Sequence, residues 1–227
     1  MTKKGAFLYT AINLYTNWKT VMKYIGSCLA SLFVLSLIFG TASEPGSDAP
    51  SIGEQAPDFS LKDAHGETHS LSDYEGRYVV LEWLNHDCPF VKKHYDSDNM
   101  QMLQERYKEK GVVWFSIISS APGKQGHLEP EQAVEITREK KADPHAVLLD
   151  PDGVAGRSYN ARVTPHMYII NPEGELVYMG AIDDNPSANP DDIDGARNFV
   201  SEALDNLLDD RPVEISTHQP YGCTVKY

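Results

Sequence analysis

Cysteine is scarce in this chain, with Cys28, Cys88 and Cys223 the only three in 227 residues. Cys28 falls in a leader-like segment, and the remaining two are too few for a zinc ribbon or an iron–sulfur centre. Basic side chains are also in short supply: 20 Lys and Arg face 33 Asp and Glu, for a formal net charge of −13. A nucleic-acid or anionic-membrane surface wants the opposite balance, so neither partner is expected. No internal repeat or low-complexity tract is present. Acids are missing altogether from residues 1–43, which hold Lys3, Lys4, Lys19 and Lys23, and residues 24–43 carry no charge at all.

That last absence defines an N-terminal signal. A basic lead, the nearly continuous apolar run 29–39 and the small residues Gly40, Thr41, Ala42 and Ser43 read as a secretory signal peptide cleaved near Ala42 or Ser43. The competing reading is an uncleaved anchor helix, which needs about 20 apolar residues. Met22-Lys23-Tyr24 would also make a compact start by itself. Ile25-Gly26-Ser27-Cys28 is not a lipoprotein box, because the apolar run follows the cysteine instead of preceding it. The protein is therefore expected to be exported, periplasmic or secreted, and to meet a membrane only if residues 1–43 stay attached. Residues 44–50 form a Pro/Gly/Ser/Asp linker, residues 51–212 a single domain, and residues 213–227 a tail carrying Cys223. At 41% hydrophobic, the chain buries one sizeable core.

Within the domain, apolar runs alternate with helical patterns. Residues 59–61 and 69–71 flank a hairpin-like turn at 63–66. Residues 78–84, 112–118 and 147–149 read as buried strands, and 166–170 with 175–179 as a hairpin around Asn171-Pro172-Glu173-Gly174. Helices are expected over 89–110, from about 129 to 141, and over 196–208, where Phe199, Val200, Leu204, Leu207 and Leu208 make a stripe. Alternation first and a hairpin afterwards imply an α/β fold, a mixed central sheet with helices on both faces.

Cys88 stands between a buried strand and a Pro-initiated helix. Unsatisfied backbone N–H groups and the positive end of a helix favour thiolate, the nucleophilic form. Lys92, Lys93 and His94 follow within two turns and are expected to add to this, while Asp87 opposes it. The alternative is a buried structural cysteine. Val163-Thr164-Pro165 precedes a strand, where a cis proline would pack against a catalytic sulfur; alone it is equally a turn proline. Asp150, Asp152, Asp183 and Asp184 read as turn formers and solvated faces, not as a calcium site.

Taken together, the strand–Cys88-Pro89–helix unit, Val163-Thr164-Pro165-His166 and Asn171-Pro172-Glu173-Gly174 resemble the thioredoxin-fold superfamily. Residues 53–61 (GEQAPDFSL) resemble the opening of the alkyl hydroperoxide reductase and thiol-specific antioxidant family. Residues 85–95 (NHDCPFVKKHY) and 220–227 (PYGCTVKY) resemble its peroxiredoxin-like, redoxin-domain members. The resemblance spans nearly all of 52–227. It implies a thioredoxin-like fold, Cys88 as redox-active nucleophile, Pro165 as cis proline after Thr164, and a thiol-dependent oxidoreductase acting on peroxide or disulfide. A thioredoxin-like external thiol would then serve as reductant. No cofactor and no metal are expected. A copper module using Cys88, His94 and His166, with His86 nearby, is the non-enzymatic alternative, although copper-binding relatives carry two cysteines at the helix start.

The sequence departs from the pattern twice. Val91 replaces the second cysteine of Cys-x-x-Cys, and Asn85 stands where peroxiredoxins place a Thr or Ser that polarises the peroxide. Arg162 and Arg197 are the candidates for a second peroxide-orienting group. Cys223 is expected to resolve oxidised Cys88, to form a structural bridge, or to stay free.

Overall fold

The computed structural model describes residues 49–227. The signal or anchor at 1–43, Cys28 and most of the linker lie outside the described residues. Among the described residues, nine strands and five α-helices follow in order: β1 (Ser60–Asp63), β2 (Thr68–Ser70), β3 (Val79–Trp83), α1 (Pro89–Asp96), α2 (Asn99–Glu109), β4 (Val113–Ile118), α3 (Pro130–Glu139), β5 (Ala146–Leu149), α4 (Val154–Ser158), β6 (Val163–Thr164), β7 (His166–Ile170), β8 (Leu176–Gly180), α5 (Phe199–Leu208) and β9 (Cys223–Thr224).

Seven strands form one sheet in the order β2-β1-β5-β4-β3-β7-β8. The central β3–β4 and β4–β5 pairs are parallel, and the flanking pairs antiparallel. This is the expected mixed sheet, and alternation along the strands explains how it is covered. Val79, Leu81 and Trp83 join Val113, Phe115, Ile117, Tyr168 and Ile170 on one face, beside Ala155 of α4. Val80 and Leu84 join Trp114, Ile118, Met167 and Ile169 on the other, under apolar residues of α1, α2, α3 and α5. Both faces are buried, which is why the central strands read as continuous apolar runs.

The helix expected over 89–110 is two helices. The Ser97 hydroxyl donates to the carbonyl of Lys93 at 2.7 Å, closing α1, and Asp98 adopts a left-handed φ of 59°. Asp tolerates that conformation better than most residues. The helix expected from 196 begins at Phe199 instead, because the Asn198 side chain accepts from the Ser201 amide at 2.9 Å.

Residues 213–227 return to the domain. β9 pairs antiparallel with β6, Val163 facing Thr224 and Thr164 facing Cys223. The Val225 amide donates to the Arg162 carbonyl at 3.0 Å, and the Ala121 amide to the Lys226 carbonyl at 2.8 Å. No helix among the described residues is long and apolar enough to cross a membrane.

Candidate active site

Cys88 occupies the N-cap of α1 in extended conformation, with Pro89 in the first turn. Its carbonyl accepts from the Val91 and Lys92 amides at 3.0 and 2.9 Å, and its own amide donates to Asn85 O at 2.9 Å. The backbone around the sulfur is thereby fixed before any side chain contributes. The thiol is only 1% exposed and donates to Thr164 O at 3.1 Å. Thr164–Pro165 is a cis peptide, as the resemblance implied.

Cys223 reaches the same place through the tail. It is the register partner of Thr164, whose hydroxyl donates to Cys223 O at 3.5 Å. Gly222 has a φ of 139°, and a Cβ there would collide with the Thr164 carbonyl, so the close approach demands glycine. Both cysteines are free. Burial pushes the Cys88 thiol up, but the Cys223 thiol, the Val91 and Cys223 amides and the Thr164 hydroxyl together hold it below the usual cysteine value. Cys223 moves the other way, to about 11, because of burial first and then the neighbouring Cys88. One sulfur is biased toward thiolate and the other is its proton-bearing neighbour.

Cys88, Thr164, Pro165 and Cys223 therefore converge. Asn85 braces instead. Its side-chain oxygen accepts from the Asp87 amide at 2.9 Å, and its amide donates to Gln125 O at 3.4 Å, with Gly126 packed against it. Arg197 forms a two-point pair with Glu202 on the surface, at 2.7 and 2.8 Å. Arg162 lines a cavity of about 400 Å³ with His166 and His218.

The charge expectations for Lys93, Asp183, His94 and Asp150 are corrected. Lys93 is fully buried and donates to Asp183 at 2.9 Å and Asn185 O at 2.6 Å, so its charge is spent on that pair instead of on Cys88. Asp183, expected on a solvated face, is 2% exposed and also accepts from the Tyr221 hydroxyl. His94 does not supply positive charge either: burial lowers it to about 4, and its ring nitrogens meet Tyr221 Oη at 3.3 Å and Asn99 Nδ2 at 2.9 Å. Asp150 is likewise buried, accepting from Ser119 Oγ at 2.6 Å and the Gly156 amide at 2.8 Å.

His86 and His166 are held neutral by burial, at about 4 and about 3. His166 Nδ1 faces Tyr168 Oη at 3.0 Å, and His86 packs edge-on against Tyr95.

Glu82 was not anticipated. It is fully buried on β3, on the sheet face that Val80 and Leu84 share with Cys88. It accepts from Tyr95 Oη and Trp114 Nε1 at 2.9 Å each and from Ser116 Oγ at 3.1 Å. Desolvation lifts its carboxyl to about 7 despite those donors. The available signal was an acid inside the apolar run 79–84. Tyr221 was missed as well, and its value depends on partners from α1 and the 183–185 loop that no local pattern brings together.

Comparison with known proteins identifies the family of the chain. The profile of the AhpC/TSA family covers residues 52–179, more than half the chain. The thiol-disulfide oxidoreductase ResA of Geobacillus kaustophilus is 30% identical over 128 residues, spanning 56% of this chain and 68% of that protein. ResA of Bacillus subtilis is 28% identical over 152 residues, 67% of this chain and 79% of its own. A crystal structure of an uncharacterized conserved protein from Geobacillus kaustophilus superposes with a TM-score of 0.68 at 29% identity, covering 78% of this chain and 92% of that one. The chain belongs to the AhpC/TSA family and is a peroxiredoxin-like, thioredoxin-fold thiol-dependent oxidoreductase.

Proposed function

We propose that Cys88 is the nucleophile of a two-cysteine cycle and Cys223 the resolving thiol. The observation that carries this is the placement of both free sulfurs at Thr164, one at a helix N-terminus and the other on a tail strand registered to it. The Cys88 thiolate attacks the distal oxygen of a peroxide. The O–O bond breaks, Cys88 becomes a sulfenic acid, and the leaving oxygen departs as alcohol or water. Oxidation removes the negative neighbour that raised Cys223, so its thiol ionises more readily and attacks the sulfenic sulfur. An 88–223 disulfide forms and water leaves. Two electrons from an external dithiol, of the thioredoxin-like class, restore both thiols. Pro165 and Thr164 wall the groove around the sulfur, and Asn85 holds the loop that presents it.

Thiol–disulfide exchange with a disulfide substrate is the second reading, supported by the similarity to ResA proteins. Mass spectrometry after one equivalent of peroxide tests the first. Wild type should gain an 88–223 disulfide that dithiol reverses, and Cys223→Ser should stall as sulfenic acid and overoxidise to sulfinic acid. A disulfide already present before peroxide and resistant to mild reductant would make it a structural bridge instead.

We further propose export through cleavage near Ala42 or Ser43, with 44–50 as linker and 51–212 as catalytic domain. N-terminal sequencing from the native host decides: a protein retaining residues 1–42 in the membrane fraction would be anchored.

A further inference from the structure

β6 is two residues long, and among the described residues its only strand partner is β9 of the chain's own tail. The Cys88 thiol contacts the carbonyl of Thr164 in that strand, and the tail runs antiparallel along it, presenting a cysteine at the Thr164 position. A strand edge beside a reactive sulfur is a place where an extended polypeptide can add by main-chain hydrogen bonds. Here that edge is already taken.

The segment is fastened on both sides of the occupied edge. Tyr221 binds Asp183 and packs its ring against Phe90 of α1 at 5.7 Å. Tyr227 donates to Ala161 O at 2.7 Å and lies under Arg157 at 4.5 Å. Between these anchors, the contact with β6 is short, and Gly222 makes it fit. With the segment seated, Cys88 is only 1% exposed, so an extended chain has no room beside the sulfur.

We propose that residues 220–227 are an intramolecular occupant of a polypeptide-binding edge on β6. While the segment is seated, Cys88 is reached by small oxidants. Once it leaves, the same edge receives an extended, disulfide-bearing polypeptide. This rests on Cys88 being the nucleophile. In the exchange step the Cys88 thiolate attacks one sulfur of the polypeptide's disulfide. A Cys88–polypeptide disulfide forms, the original S–S bond breaks, and the other sulfur leaves as thiolate, with no further oxidant required.

The test is carried out on the full chain bearing Cys223→Ser, so that resolution cannot obscure capture. Rates of mixed-disulfide formation are measured with a small aromatic disulfide and with insulin carrying its native disulfides, and adducts are located by peptide mass spectrometry so that Cys28 is scored separately. Gly222→Ala, whose new Cβ collides with the Thr164 carbonyl, prises the segment off β6. Tyr227→Ala releases the distal anchor independently, and circular dichroism confirms that each variant is folded. Both variants should raise the insulin rate about tenfold more than the small-disulfide rate, as expected when a competent state goes from rare to common. Equal increases for both probes, or no increase for insulin, would overturn the proposal. Capture of the small disulfide at Cys88 in the parent protein, and loss of that adduct in Cys88→Ser, establishes the nucleophile separately. Its absence in the parent would refute the underlying reading instead.

Discussion

Substituting Glu82 by Gln should flatten the dependence of stability on pH. Glu82 is fully buried, and its carboxyl is lifted from 4.5 to about 7 by desolvation. The folded protein therefore holds a proton that the unfolded chain has already released. Between these two values folding binds a proton, so stability falls as pH rises. The shift corresponds to about 3 kcal/mol, absent below pH 4.5 and complete above the folded value of about 7. Gln keeps the shape and cannot ionise. Its amide nitrogen would face some of the donors from Tyr95, Trp114 and Ser116, which adds a constant cost at every pH. The informative quantity is thus the difference in slope and not the offset. Urea unfolding midpoints between pH 4.5 and 8.5 should show the advantage of wild type over Glu82→Gln shrinking by about 3 kcal/mol across that range. Parallel curves would show that Glu82 titrates normally in the fold, and the reasoning from burial would fail.

Cys88 should alkylate with a midpoint below the free-thiol value of about 8.5, and Cys223→Ala should raise that midpoint, because Cys223 is the largest of the influences favouring the thiolate; iodoacetamide rates against pH would expose an unchanged midpoint. Lys93→Met should destabilise the protein by about 3–5 kcal/mol, since it leaves Asp183 charged and buried. Adding Asp183→Asn should recover part of that loss in chemical denaturation, and strict additivity would argue against the pair. On the acid side, His86, His94 and His166 are neutral in the fold at about 4, 4 and 3, whereas the unfolded chain protonates near 6.5. Their stabilising contribution is present above pH 6.5 and lost as pH falls toward 4, so His94→Gln should lessen acid unfolding between those limits as followed by circular dichroism.

The legible parts of this chain are those set by local chemistry. Cys88-Pro89 after an apolar strand predicts an N-capping cysteine whatever surrounds it, because proline suits the first helical turn. Asn171-Pro172-Glu173-Gly174 predicts its hairpin, β7 to β8, on turn residues alone. The break between α1 and α2 was hidden because Asp and Ser are tolerated inside a helix as readily as they end one. The Ser97 hydroxyl turning back to Lys93 and the left-handed backbone of Asp98 together mark it.

The electrostatic misreadings have a common physical origin. Sequence proximity suggests that Lys93 serves Cys88, but a helix turns about 100° per residue, so five positions on it faces a different neighbour. That neighbour is Asp183, ninety residues away, in an acidic loop whose composition alone suggests solvent. The groups that hold the Cys88 thiol low are Cys223, the Val91 and Cys223 amides and Thr164, and Lys93 is not one of them. The pair builds a buried socket into which the Tyr221 hydroxyl fits, with His94 alongside at 3.3 Å. The residue after Tyr221 is the glycine that lies on Thr164, and the next is Cys223. The positive charge near Cys88 thus acts on the tail and not on the sulfur: it fixes where the second cysteine sits, while the reactivity of the first comes from the helix start, the backbone amides and that cysteine itself.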